Sequence, residues 1–71
     1  MERVIAISGD SIRLGQLLKL SGAAADGAQA KAMIAAGEVA VNGDIEQRRG
    51  RQLRAGDRVL AAGEEFKVVS G

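Results

Sequence analysis

The chain has 71 residues, of which 46% are hydrophobic, and a formal net charge of +1, so we expect one small domain spanning residues 1–71. It contains no cysteine and no histidine, which excludes disulfides and thiolate metal sites and removes the usual agents of acid–base and nucleophilic catalysis. We therefore expect no enzyme activity, no metal, no cofactor and no small-molecule substrate. No apolar run approaches the roughly 18 residues that a membrane helix needs, and we expect a cytoplasmic monomer.

The first half of the chain predicts a strand followed by a helix. Residues 3–8, "RVIAIS", are rich in β-branched residues and indicate a strand. Asp10 or Ser11 is then a natural cap for a helix over residues 11–22, which Gly22 ends. Four residues at helical spacing form the predicted buried stripe of this helix: Leu14, Leu17, Leu18 and Ser21.

A second helix is predicted over residues 26–37. Asp26 is its expected N-cap and Gly37 its end. The buried stripe of this helix is expected to contain Ala30, Met33 and Ile34. Both helices are short, so each must pack against the rest of the domain to be stable.

After Gly37 the hydrophobic period changes from helical to alternating. Val39 and Val41 are expected to face the core, and Asn42-Gly43 is a strong signal for a two-residue hairpin turn. Ile45 is a candidate core residue on the returning strand.

Further turns and strands are predicted towards residue 71. Turns are expected at residues 54–57 and near Gly63-Glu64, with strands over 58–62 and 65–70. Phe66, on the second of these strands, is expected in the core. The predicted fold class is α+β: two short helices followed by a small antiparallel sheet of short strands, with an N-terminal strand.

Half of the ten basic residues lie close together, between Arg48 and Arg58. This segment holds five arginines against one aspartate, a net charge of +4, whereas the other sixty residues sum to −3. Arg48, Arg49 and Arg51 cannot all point inward, because burying an unpaired guanidinium is costly. Such a cluster is suited to phosphate contacts, but taken alone it is more often a solvated face. Arg54 and Arg58 could also pair with nearby carboxylates, namely Glu46, Asp57, Glu64 or Glu65.

An ordered set of motifs runs through residues 12–60. It comprises Arg13-Leu14, Leu17-Leu18, Gly22, Ala30, Ile34, Gly37, Val39, Val41-Asn42-Gly43 and Gly56-Asp57. In this order and spacing the segment resembles the S-four RNA-binding domain, named after ribosomal small-subunit protein four, and in particular its small stand-alone bacterial members. Two departures stand out: Gly15 lies where that family often has aspartate, and Asp26-Gly27 replaces a common Ser-Arg pair.

The resemblance implies a protein that binds structured RNA, with ribosomal RNA as one candidate. It also implies that the two helices and the hairpin form one surface, which would bring the helical lysines beside the arginines. The chain has a single aromatic residue, Phe66, so base stacking is nearly excluded and recognition should rely on backbone and shape. The candidate RNA-binding residues are Arg48, Arg49 and Arg51, supported by Arg13, Lys19, Lys31, Gln29 and Asn42.

Two alternatives stay open at this point. The arginine face could dock an acidic protein partner. Residues 39–62 also resemble the later half of ubiquitin-like sulfur-carrier proteins, which end in a mobile Gly-Gly tail. Here eleven residues follow Leu60 and they end in Ser70-Gly71, so this second alternative fits less well.

Overall fold

Seven strands and two helices make up residues 2–71, the part of the chain that the computed structural model describes. In chain order they are β1 (Glu2–Ile7), β2 (Ile12–Arg13), α1 (Leu14–Ser21), α2 (Gly27–Ala35), β3 (Val39–Val41), β4 (Asp44–Ile45), β5 (Gln52–Leu53), β6 (Arg58–Ala61) and β7 (Glu64–Ser70). The predicted α+β class is confirmed.

Five of the strands form one sheet, in the order β1-β7-β6-β3-β4. All neighbours are antiparallel except β1 and β7, which pair in parallel with Ile5 opposite Val68. The sheet is therefore mixed, and both helices lie between β1 and β3, the next strand of this sheet along the chain. β7 lies between β1 and β6, and the Gly71 N–H donates to the Ile7 carbonyl at 2.9 Å. Residues 70 and 71 thus do not form the mobile tail of a sulfur carrier.

The core lies between the two helices and one face of the sheet. Leu14, Leu17, Leu18 and Ser21 of α1 are all buried, as predicted. In α2, Ala30 and Ile34 are buried while Met33 is only partly so. They meet the inward residues of the sheet, which include Val39, Val41, Val59, Phe66 and Val68. Neither helix of residues 2–71 is long and apolar enough to cross a membrane.

The predicted N-cap of α2 and the predicted end of α1 are confirmed, whereas α2 itself ends at Ala35, with Ala36 rather than Gly37 as its C-cap. Asp26 caps α2, and its Oδ1 accepts from the Gln29 N–H at 2.8 Å. Gly22 follows α1 with φ +84°, the left-handed conformation that favours glycine.

The predicted start of α1 is wrong. Neither Asp10 nor Ser11 caps it, because the chain stays extended through Ile12–Arg13 and pairs there with β5. The helix begins at Leu14, and Arg13 at the N-cap position provides no side-chain hydrogen bond. A long-range strand pair, invisible in the local sequence, therefore delays the helix.

The predicted core position of Ile45 is also wrong, since Ile45 is 68% exposed. The two-residue turn at Asn42-Gly43 places Ile45 opposite Ala40, whose side chain points away from the core. Glu46 takes the next inward position instead, and its N–H donates to the Val39 carbonyl at 2.9 Å. The register of the hairpin thus buries a carboxylate where an apolar side chain was expected.

The turn between β6 and β7 lies one residue earlier than predicted. Ala61 pairs with Glu64, so Ala62 and Gly63 form a two-residue turn with φ +53° and +75°. The first hairpin uses Asn42-Gly43 in the same way, with φ +52° and +90°. Alanine is poorly suited to this conformation, because its Cβ crowds the backbone at positive φ.

We therefore expect Ala62→Asn to stabilise the domain. Asparagine tolerates positive φ far better than alanine, so the free energy of unfolding should rise by about 0.5–1 kcal/mol. Urea unfolding followed by circular dichroism measures this difference. Asn42→Ala should lower the free energy of unfolding, both through the turn and through the lost bonds of its side chain to Asp57 and Arg58. Equal stability of Ala62→Asn and the unmodified chain would contradict the turn assignment.

Candidate nucleic-acid interface

A basic cleft opens between the two helices and the segment that follows β4. We call residues 46–51 the arginine loop. The cleft has a volume of about 190 Å³. Its charged lining comes from four exposed side chains, Arg13, Lys19, Lys31 and Arg49. Within residues 2–71 no carboxylate lines it, so four positive charges from three separate segments face one opening.

Small residues form part of the cleft lining. Gly15, Gly27 and Ala30 lie there, so a ligand can approach the helix backbones closely. Gly15 has no side chain and therefore adds no charge to this lining. At Gly27 an added Cβ would meet nothing within 4 Å, which leaves room beside the first residue of α2.

The arginine loop is held against the start of α1 by backbone hydrogen bonds. The Leu14 N–H donates to the Arg51 carbonyl at 2.9 Å, and the Gly15 N–H donates to the Arg49 carbonyl at 3.3 Å. The first amide groups of a helix have no partner within the helix, and here loop carbonyls replace a capping side chain. The pairing of β2 with β5 carries the loop to this position.

The carboxylate of Glu46 organises the loop from its other side. Its side chain is 9% exposed, and it accepts from Arg48 Nε at 3.1 Å and from Arg51 Nη1 at 2.8 Å. Arg48 also donates through Nη2 at 3.3 Å and through its backbone N–H at 3.1 Å. A buried carboxylate needs such partners, because an unpaired charge in the interior is strongly disfavoured.

These contacts shift the ionisation of Glu46. The hydrogen bonds from the Arg48 side chain, and then from Arg51, lower the pKa of the Glu46 carboxyl from 4.5 to about 2, whereas burial acts in the opposite direction. The same ion pair raises the pKa of Arg48. Glu46 is therefore charged throughout the neutral range.

Most of the chain matches one family of known proteins. The S4 domain family model matches residues 5–69. The chain belongs to the S4 domain family. This confirms the resemblance stated from the sequence motifs.

Individual relatives of this S4 domain share most of its length. YbcJ of Escherichia coli strain K12 is 44% identical over 59 residues, which cover 83% of this chain and 84% of YbcJ. RlbA of Bacillus subtilis strain 168, named as a probable ribosome maturation protein, is 41% identical over 71 residues, covering 99% of this chain and 100% of RlbA. The solution structure of YbcJ matches with a TM-score of 0.69 and 38% identity, covering 97% of this chain and 86% of that one. It is described as revealing an αL motif involved in RNA binding.

The three arginines favoured from the sequence have different surroundings in this S4 domain. Only Arg49 lines the cleft, and within residues 2–71 it forms no ion pair. Arg48 and Arg51 are both paired with Glu46. The side chain of Arg48 is nevertheless 79% exposed, against 34% for Arg51. The cluster thus divides into one unpaired arginine and two that hold the loop.

Gln29 and Asn42, the two predicted polar contacts, both lie outside the cleft lining and have roles within the fold. Gln29 Oε1 accepts from the Ala25 N–H at 2.6 Å, next to the α2 cap. The Asn42 side chain links two turns: its Nδ2 donates to Asp57 Oδ1 at 3.0 Å, and its Oδ1 accepts from the Arg58 N–H at 3.0 Å. Asn42 therefore ties the first hairpin turn to the turn at residues 54–57.

None of the ion pairs suggested for Arg54 and Arg58 is found within residues 2–71. Arg58 pairs with Glu2 on β1 at 3.2 Å. The backbone N–H of Arg54 donates to Asp57 Oδ2 at 2.8 Å, a bond typical of aspartate in a turn. Burial acts to raise the pKa of Asp57, but the bonds from Arg54 and Asn42 outweigh it and the pKa is lowered.

The residue that sequence reasoning missed is Glu46. Its sequence signal was the strand alternation: with Val39 and Val41 inward and a two-residue turn, the residue opposite Val39 must also point inward. Counting across Asn42-Gly43 leads to Glu46 and leaves Ile45 outside. A carboxylate at an inward position next to three arginines is then expected to pair with them.

The lowered pKa of Glu46 predicts an acid-sensitive contribution to stability. Because the folded pKa of about 2 lies below the usual 4.5, the contribution is complete above pH 4.5 and is lost as the pH falls towards 2. We expect the urea midpoint of unfolding to fall over this interval, and to fall less steeply in Glu46→Gln. Asp57 leaves some slope in the variant, and identical slopes for both proteins would contradict the assignment.

Proposed function

We propose that this S4 domain is a non-catalytic protein that binds structured RNA through the basic cleft. The observation that carries the proposal is the convergence of Arg13, Lys19, Lys31 and Arg49 on one opening that no carboxylate lines within residues 2–71. Clustered cations suit a polyphosphate backbone, since each contact releases counterions from the nucleic acid.

The chemistry of the surface favours backbone and shape over base stacking. Phe66 is fully buried in the core, so no aromatic ring is available to an unpaired base. The remaining donors are guanidinium, ammonium and backbone amide groups, which recognise phosphates and the outline of a folded RNA. With a net charge of only +1, long-range attraction is weak and affinity depends on the local cleft.

The relatives support an RNA-binding function and suggest which class of RNA is bound. The αL motif of YbcJ is described as involved in RNA binding, and RlbA is named for ribosome maturation. Ribosomal RNA is therefore our proposed target class. We further propose that the protein acts as a cytoplasmic monomer that uses no cofactor, metal or small-molecule substrate.

The predicted contact residues rank differently once the cleft is known. Arg49 takes the leading place, with Arg13, Lys19 and Lys31 beside it. Arg48 can add a contact from its exposed edge while it stays paired with Glu46, whereas Arg51 mainly serves the loop. Gln29 and Asn42 remain secondary candidates, because their side chains already bond within the fold.

Removing cleft cations should weaken RNA binding in a salt-dependent way. For Lys31→Ala/Arg49→Ala we expect weaker binding to a folded ribosomal RNA fragment and a salt slope reduced by about two, one for each lost phosphate contact. The measurement is a binding titration at several salt concentrations, with an unstructured oligonucleotide of equal length for comparison. The unmodified chain should prefer the folded RNA.

Two further variants test whether the position of a charge matters. Lys67→Ala removes a cation on β7, outside the residues that line the cleft, and should leave the salt slope nearly unchanged. Gly27→Arg adds a cation where there is open space, and should raise the slope by about one. Failure of the unmodified chain to bind RNA would contradict the proposal and place protein docking first. Equal losses from Lys67→Ala and Arg49→Ala would remove the cleft from the account.

A further inference from the structure

Glu46 holds the arginine loop at two points on either side of Arg49. Its carboxylate binds the backbone N–H and the side chain of Arg48, and the guanidinium of Arg51. The Arg51 N–H also donates to the Arg48 carbonyl at 3.1 Å, which closes a turn around Arg49. The loop is thereby fixed on both sides of Arg49, the one arginine of this loop that lines the cleft.

A second set of bonds fixes the same loop to the helix that borders the cleft. The carbonyl groups of Arg49 and Arg51 accept from the first two residues of α1. Arg49 is therefore anchored through its own backbone and through both neighbouring arginines, while its side chain stays unpaired within residues 2–71. A loop whose backbone is already fixed loses less conformational freedom when one of its side chains meets a ligand.

We propose that Glu46 is a positioning residue of the RNA site: it sets Arg48 and Arg51 as supports of the loop so that Arg49 projects into the cleft. The inference rests on the proposed RNA-binding function and deepens it. It explains why an anionic side chain is buried beside a site for an anionic ligand, where simple charge arguments would disfavour it.

A charge effect of Glu46 and a positioning effect of Glu46 would change the RNA affinity of the same variant in opposite directions. Glu46→Gln removes a negative charge and raises the net charge from +1 to +2. If Glu46 acted only through its field, the variant would bind RNA more tightly. If Glu46 positions the loop, the variant should bind more weakly despite its extra positive charge, because the clamp on Arg48 and Arg51 is loosened.

The test is a double-mutant cycle on binding to the folded ribosomal RNA fragment. We expect Glu46→Gln to weaken binding about fivefold, and to have less than about a twofold effect when Arg49→Ala is already present. The unfolding midpoint of each variant is first measured by circular dichroism. Binding is then measured at a temperature well below that midpoint. Glu65→Gln, which removes an exposed carboxylate from β7, is the matched control and should leave binding unchanged or slightly tighter.

Glu46→Asp covers the case in which the glutamine variant does not fold. It keeps the charge but shortens the side chain, so a pure charge effect predicts no change and positioning predicts weaker binding. Unchanged or tighter binding of Glu46→Gln, or an equal loss with and without Arg49, would overturn the inference while leaving the RNA function standing. If the unmodified chain binds no folded RNA, the proposed function fails and this inference fails with it.

Discussion

The hydrogen bonds between the arginine loop and the start of α1 are the contacts on which the geometry of the basic cleft depends. The amide groups of Leu14 and Gly15 have no capping side chain, and they donate instead to the carbonyls of Arg51 and Arg49. One pair of bonds thus satisfies the helix and places the loop at the edge of the cleft. Because the β2–β5 pair lies immediately beside these bonds, sheet pairing, helix capping and site geometry share the same few residues.

Glu46 adds an electrostatic constraint to this backbone frame. A buried carboxylate is stable only when it is paired, and its demand for partners draws Arg48 and Arg51 together. The three arginines that look equivalent in the sequence therefore have two roles. Arg48 and Arg51 pair with Glu46 and hold the loop, whereas Arg49 lines the cleft. The division costs some positive potential near the cleft, but it leaves Arg49 anchored and free of ion pairs within the part of the chain that the structure describes.

Local patterns predicted the elements that local physics controls. The buried stripe of α1, the Asp26 cap and the Asn42-Gly43 turn depend on neighbours within a few residues, and all three are found as predicted. The start of α1 and the parallel β1–β7 pair depend on segments far away in sequence, which periodicity cannot reveal. The four cations that line the cleft were among eight candidates, and the family resemblance, rather than residue type or spacing, predicted that the helical lysines lie beside the arginines. The pairing of two arginines with Glu46 required the hairpin register. The register can be predicted from the sequence, because turn length and strand alternation together determine which side chain points inward.

The most direct measurement of the central claim is a nuclear magnetic resonance titration of the ¹⁵N-labelled chain with a folded ribosomal RNA fragment. We expect the amide shift changes to concentrate at the start of α1, the first turns of α2 and residues 46–51. The outer face of the sheet, which carries Leu60 and Lys67 opposite the helices, should show little change. Shift changes centred on that outer face would contradict the assignment of the cleft as the RNA site. The absence of any shift change in the presence of excess RNA would contradict it as well.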